Sequence, residues 1–438
     1  MRNKEWATIS WLFALVLLSG CGGGSSADPL PEPPPDPPPQ GQTYTYTALH
    51  TFRDGAEGRN PTAGLIRDAS GNLYGTTTLG GDLACPDGFG GGCGTVFKID
   101  SSGVLTTLHA FAGGPSNGAF PQDGLIQDAS GQLYGTTGGG GSRDCIQGCG
   151  TVFKMDAVGS MTVLYYFAGG AAGSPNGRLL RDAAKNLYGT TANGGDLACV
   201  DSQNVNGCGT VFRLDPNGVF KTLHAFTGGS TDGAIPNSGL LRDATGNLYG
   251  TTGSGGDHQY GTVFKLDTTG RASLLHHFTG EDGAYPRGAL IADEASNFYG
   301  TTSLGGNLDC SDGITDFGCG TIFKLDPGGT LTTLRVFGDR RTDLTFPSPN
   351  LIRDAAGNIY GITLRGGTHG FGALFRLNSA GGGETPFYSF TGIEQGIDRR
   401  LAIIDSAGNF YGAAFGGGDT ACDAVNGGCG VVFKIGPH

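Results

Sequence analysis

The chain has 438 residues, among them 84 glycines and 25 phenylalanines, a composition too regular for disorder and without the strict triplet of collagen. Its 39 acidic against 27 basic side chains give a formal net charge of -12, and the sequence pI is about 5.0. A general nucleic-acid binder is excluded, because it needs a basic track to displace counterions. Neutral ligands, cations and protein partners stay open, and a locally basic pocket can still hold an anion.

Residues 1–20 read as a lipoprotein signal peptide. Arg2 and Lys4 precede an apolar run from Trp11 to Leu18 that is too short to span a bilayer as a mature helix. The run ends in Leu18-Ser19-Gly20-Cys21, which resembles the lipobox of bacterial lipoproteins, small residues before a cysteine that is lipidated and becomes the new N-terminus. The expectation is an exported protein held to a membrane through Cys21. Gly22 in place of Asp points to the outer membrane if the host has two. Residues 21–42 then form a Pro/Gly/Ser-rich tether whose proline clusters extend as polyproline II.

Residues 43–438 are organised by repetition. Tyr-Gly recurs at Tyr74, Tyr134, Tyr188, Tyr249, Tyr299, Tyr360 and Tyr411, and Gly-x-x-Phe recurs with Phe97, Phe153, Phe212, Phe264, Phe323, Phe375 and Phe433. A third mark, Phe after a strand-like run, falls at Phe52, Phe111, Phe167, Phe226, Phe278, Phe337 and Phe390. In the first copy the branched and aromatic residues predict strands over 64–67, 72–76, 95–99 and 104–111. Asp68-Ala69-Ser70-Gly71 and Asp100-Ser101-Ser102-Gly103 join them as tight hairpin turns. The first-turn aspartate returns as Asp128, Asp182, Asp243, Asp293, Asp354 and Asp405, and is read as a turn cap rather than a catalytic or metal carboxylate.

The array starts and stops out of phase. Residues 43–52 look like a fourth strand with no first three, and residues 431–435 a third strand with no fourth. Joining them completes a seventh sheet and leaves no edge between the chain ends. The predicted fold is therefore all-β, a seven-bladed β-propeller of four-stranded blades, closed by the N-terminal strand completing the last blade. The repeated Tyr and Phe side chains are expected between neighbouring blades.

The segments GLIRDASGNLYGTT with GTVFKID in the first copy, and GLLRDATGNLYGTTGSGG with GTVFKLD in the fourth, resemble the Gloeobacter and Verrucomicrobia tandem repeat, called GloVer, over roughly residues 44–435. The resemblance implies export and tandem repetition. It brings no catalytic motif, and copy seven departs most, with Ala402-Ile403-Ile404-Asp405 and Tyr411-Gly412-Ala413-Ala414.

Beyond Cys21, ten cysteines fall in pairs, Cys85/Cys93, Cys145/Cys149, Cys199/Cys208, Cys310/Cys319 and Cys422/Cys429, each between the second and third strands of its copy. Copies four and six lack both members together, which predicts local disulfides rather than zinc ligands. These loops share one face with the crossovers between blades, and loops on a rigid scaffold are where binding residues concentrate.

The short loops of copies four and six, residues 256–261 and 367–372, place His258 before Tyr260 and His369 before Phe371. With Tyr285, Arg287, Arg340, Arg341, Arg399 and Arg400 from the crossovers they make a basic and aromatic sector in an acidic molecule. Aromatics stack on sugar rings, arginines pair with carboxylates, and histidine moves protons near neutral pH. Tyr260, Tyr285, Arg287, Arg340, Arg341, Phe371, Arg399 and Arg400 are the candidate ligand-binding residues, and His258, His369 and Tyr260 the weak catalytic ones.

His50, His109, His224 and His276 precede the fourth-strand Phe by two residues, where other copies have Tyr165, Arg335 and Tyr388, and are read as structural. Asp82/Asp87, Asp196/Asp201 and Asp309/Asp312/Asp316 offer oxygens of the kind calcium takes, but their spacing matches no EF-hand and loop capping explains them equally. No cofactor and no metal site are expected. Phosphate-loop, zinc-helix and Gly-x-Ser-x-Gly signatures in a strand-to-helix setting are absent from the sequence. The functional expectation is a monomeric, lipid-anchored binding protein for a glycan or an envelope protein, with an acidic-polysaccharide lyase or hydrolase as the alternative.

Overall fold

The computed structural model describes residues 42–438 apart from 86–90, 115, 143–147, 169–172, 200–206, 311–316, 339–343, 379–384 and 423–426. It is a seven-bladed β-propeller. Blade 1 runs outward in antiparallel order through Ile66–Arg67, Leu73–Thr77, Thr95–Ile99 and Leu105–Ala110. The ring closes as the out-of-phase ends predict: Tyr44–Thr51 pairs with Val431–Pro437, the third strand of blade 7, so that Tyr46 faces Ile435 and Ala48 faces Phe433. Both chain ends are thereby locked into one sheet. No helix among the described residues is long and apolar enough to cross a membrane.

The two halves of the repeat motif are partners across the middle of each blade. Gly75 lies opposite Phe97, Gly135 opposite Phe153, Gly250 opposite Phe264 and Gly300 opposite Phe323. A Cβ on Gly75 would stand 2.6 Å from Phe97 Cζ and 2.9 Å from Leu65 Cδ2, so the ring and the leucine occupy the space the glycine leaves open. The same phenylalanines then face the next blade. The outer-strand ring of one blade meets the third-strand ring of its successor edge-on at all seven junctions, from Phe226 with Phe264 at 5.1 Å to Phe390 with Phe433 at 6.1 Å. These outer-strand and third-strand phenylalanines are at most 1% exposed. Edge-to-face pairing of buried rings adds roughly 0.5–1.5 kcal/mol per pair beyond area burial.

The turn aspartates are caps, and each also holds the Tyr of its own Tyr-Gly. Asp68 Oδ1 accepts from the main-chain N–H groups of Ser70 and Asn72, while Oδ2 accepts from the Asn72 amide and from the Tyr74 hydroxyl at 3.0 Å. The tyrosine–aspartate bond recurs in every blade at 2.9–3.0 Å. Burial alone would raise the Asp68 carboxyl, but the bonds from Asn72, Tyr74 and Ser70 outweigh it and hold the group below its usual range.

Two features differ from expectation. The innermost strand of blade 1 is two residues, not four, because Leu65 turns out of the ladder to fill the space above Gly75. The crossovers also contribute short strands of their own, such as Gly173–Pro175, Ala284–Pro286 and Thr345–Pro347, paired to the ends of second strands. In blade 7 crossover and inner strand merge into Ile397–Ile404, with a register shift between Leu401 and Ile403.

Candidate functional site

The crossovers and the second-to-third loops bond to one another, which places both on one face. The tie is a strained residue before proline. Phe120, Ser174, Ile235, Tyr285 and Phe346, like Asn60, have φ between 51° and 58°. Such left-handed backbone costs about 1–3 kcal/mol per residue. Each of these residues donates its N–H to a loop carbonyl at 2.8–2.9 Å, and the acceptor is the later cysteine of the loop, Cys93, Cys149, Cys208, Cys319 or Cys429, in all but one case. The exception is Tyr260, which accepts from Tyr285 at 2.8 Å. Tyr260 thus holds the place of the second cysteine in a loop without a disulfide, and Phe371 holds it in blade 6.

Four disulfides close the described loops, Cys85–Cys93, Cys199–Cys208, Cys310–Cys319 and Cys422–Cys429, with Cα separations of 5.7–5.9 Å. Cys149 is also disulfide-bonded, and Cys145 lies outside the described residues. Asp82 and Asp196 cap the main-chain N–H groups of Ala84 and Ala198, the loop-cap role. Asp309 donates its N–H to Asn307, and Asp87, Asp201, Asp312 and Asp316 lie outside the described residues. No three His, Cys, Asp or Glu side chains among the described residues are grouped as a metal ion requires.

The sector expected around blades 4 to 6 divides into parts. Its aromatic part assembles. The Tyr260 ring lies 6.0 Å from Tyr285, 4.8 Å from Phe317 and 6.5 Å from the nearly parallel imidazole of His258. Tyr285 and Phe317 are 6.3 Å apart. Both tyrosines are half-buried and His258 is exposed. The loop beneath is fixed by Asp257, whose N–H and carboxylate both meet His277 Nδ1, at 3.2 and 3.3 Å. Phe317 escaped the sequence reading because it sits inside a disulfide loop, in the run Asp316-Phe317-Gly318-Cys319, where length variation hides its register.

Among the described residues the arginines of the sector differ in setting. Arg399 is 2% exposed and is built into the fold. Its guanidinium donates to the carbonyls of Gln395, Phe371 and Gly392 at 3.1, 2.7 and 3.2 Å and lies 3.8 Å over the Phe390 ring. Burial lowers it to about 10, against the pull of Tyr46, Tyr388 and Glu394. The expected ligand-binding role of Arg399 is therefore corrected, since none of its donors faces away from the protein chain. Arg400 follows it in the strand, opposite Ala413, and Arg287 holds the corresponding register after Pro286. Arg340 and Arg341 lie outside the described residues. Phe371 is 38% exposed on blade 6, with His369 exposed beside it.

His50, His109, His224 and His276 are structural. Each imidazole lies edge-on to the Phe two residues on, at 4.7–5.0 Å; His109, His224 and His276 bond to the following crossover through Asn117, Asp232 and Asp282, and His50 lies 3.2 Å from the Glu57 carboxylate.

Several solved propellers resemble the chain at low identity. An oligogalacturonate lyase from Vibrio parahaemolyticus is 10% identical, with a TM-score of 0.49 over 90% of this chain and 97% of the other. A second oligogalacturonate lyase, in complex with manganese, is 13% identical, with a TM-score of 0.49 over 91% and 94%. A gluconolactonase from Xanthomonas campestris is 17% identical, with a TM-score of 0.39 over 80% and 97%. No curated protein matches the chain. The model of the Gloeobacter/Verrucomicrobia repeat matches residues 38–201 and 197–425, and with those two spans covering most of its length the chain belongs to that repeat family.

Proposed function

We propose that the protein is a lipid-anchored glycan-binding propeller of the cell envelope, its ligand stacked on the loop-rich face at Tyr260, Tyr285 and Phe317. The observation that carries this reading is the assembly of three rings and the His258 imidazole from three successive connections, on backbone pinned by the Tyr285 to Tyr260 bond. Rigid, half-exposed aromatics present a large face to a sugar ring at low entropic cost. The apolar run and Leu18-Ser19-Gly20-Cys21 support export and anchoring through Cys21, in the outer membrane where there are two.

A second reading, cleavage of an acidic polysaccharide, is favoured by one observation. An exposed imidazole beside a tyrosine is a pair able to remove and return a proton. One screen separates the two. The protein is offered neutral and acidic polysaccharides while retention and new reducing or unsaturated ends are recorded together. Retention without new ends supports binding, and its loss in Tyr260→Ala assigns the platform. New ends that vanish in His258→Ala make it an enzyme. Neither retention nor ends with any polysaccharide would sink both readings.

A further inference from the structure

Two arginines, Arg178 and Arg400, converge on one carboxyl near the propeller axis. Only there can side chains from blades that are not neighbours meet. Asp123 of blade 2 lies in the fields of Arg178 of blade 3 and Arg400 of blade 7, two blades away. The position four residues before the turn aspartate is glycine in blades 1, 2 and 4 and alanine in blade 5, and Ala402 stands there in bulged blade 7. The long side chains at this level are Arg178 and Asn350. Asn350 Nδ2 of blade 6 lies 3.6 Å from where a Cβ on Gly64 of blade 1 would stand, and Arg178 Cδ 3.8 Å from the same point on Gly124. Small residues around the axis thus leave two long polar side chains and a carboxyl facing inward.

These groups do not satisfy one another. Among the described residues neither arginine closes an ion pair on Asp123, whose carboxylate accepts from the Gly124 N–H at 2.8 Å. The Nε of Arg400 is buried without a hydrogen-bond partner. Arg178 keeps water-accessible surface although protein surrounds much of it, and burial lowers its guanidinium below the usual range. Burial, against the Gly124 and Gly177 N–H groups and the two arginines, leaves the Asp123 carboxyl above its usual range.

We propose that this axial constellation binds a small polyhydroxy carboxylate, an aldonate or a uronate, at a site separate from the aromatic platform. The ligand carboxylate pairs with the Arg178 guanidinium and with the outer end of the Arg400 guanidinium. Ligand hydroxyls pair with the Asn350 amide and the Asp123 carboxyl. A bare anion would use the arginines but leave the other two unmatched. A neutral sugar would leave the guanidinium charges unmatched.

Calorimetric titration of the full-length protein in detergent tests the site, with D-gluconate and D-galacturonate as probes and D-glucose and acetate as controls. One acid or both should bind at one site per chain, with glucose and acetate giving no measurable heat. Arg178→Gln should weaken the acid about ten-fold or more, the loss of one charge-assisted bond. Arg178 is water-accessible, so this variant keeps its fold, and Asn350→Ala serves as a second. Tyr260→Ala should leave the affinity unchanged, which separates this site from the platform. Failure of both acids to bind, unaltered affinity in Arg178→Gln and Asn350→Ala, or loss in Tyr260→Ala would each overturn the proposal.

Discussion

The Phe371 carbonyl accepts from the Arg399 side chain at 2.7 Å in the place where other loops accept a main-chain N–H from a residue before proline. Copy seven has Arg399 instead of that proline, and the guanidinium replaces the lost tie with three carbonyl contacts and a ring. Arg399→Ala would leave the buried Gly392 carbonyl and two part-buried ones without this partner and should cost roughly 2–4 kcal/mol. The urea midpoint of the variant measures it. A midpoint equal to the parent would show that Arg399 is not the tie.

The phenylalanine ring-to-ring contacts predict that blades do not unfold singly. Phe153→Ala removes a fully buried ring shared by blades 1 and 2 and should cost about 3–5 kcal/mol. Gly135→Ala approaches the same ring from the other side, with its Cβ 2.7 Å from Phe153 Cζ, and should cost about 1–3 kcal/mol by overpacking. Denaturant melts of both variants test the pair, and a harmless Gly135→Ala would refute the packing account of Tyr-Gly.

Acid should loosen blades 1 to 5 and blade 7 together. The first-turn carboxyls of Asp68, Asp128, Asp182, Asp243, Asp293 and Asp405 titrate lower in the folded chain than in the unfolded one, because hydrogen bonds outweigh burial. Their contribution is full above the unfolded value of 3.8 and is lost as pH falls through the lower folded values. Thermal melts from pH 7 down to pH 2 should show the midpoint falling below about pH 4. Asp243→Asn should flatten part of that fall, and an unchanged acid limb would remove this carboxyl from the explanation.

Alkali acts on the other half of the same bond. Burial and the adjacent Asp68 carboxylate raise Tyr74 from 10.0 to about 12, and Tyr299 and Tyr411 are raised to about 12 likewise. The folded state prefers the neutral hydroxyl, so this stability is full below pH 10.0 and is lost as pH rises toward 12. Absorbance of tyrosinate should show these hydroxyls ionising later than exposed ones. Coincident ionisation in the folded protein would contradict the bond.

The loop disulfides should each add about 2–3 kcal/mol in the chain-entropy model. Alkylation of unfolded protein without reductant should label none of the paired loop cysteines, and reduction should lower the thermal midpoint. Free thiols at Cys85 and Cys93 in exported protein would count against the pairing.

Blade number, ring closure, turn caps and loop disulfides were legible in the sequence because each repeats a local rule. A hairpin needs an Asp and a Gly at fixed offsets, a blade needs its Tyr-Gly and Gly-x-x-Phe, and missing strands at the two ends count one another. The joint absence of both cysteines from copies four and six likewise marked the loops where Tyr260 and Phe371 stand. What spacing cannot carry is convergence between copies far apart in the chain. Asp123, Arg178, Asn350 and Arg400 belong to four blades, and only ring closure, which turns each inner strand toward one axis, makes them neighbours. Arg399 and Arg400 are adjacent in sequence and alike in chemistry, yet the pleat of one strand sends Arg399 into the packing between blades and turns Arg400 toward Asp123. The pairing of that strand in the tertiary structure decided which was which.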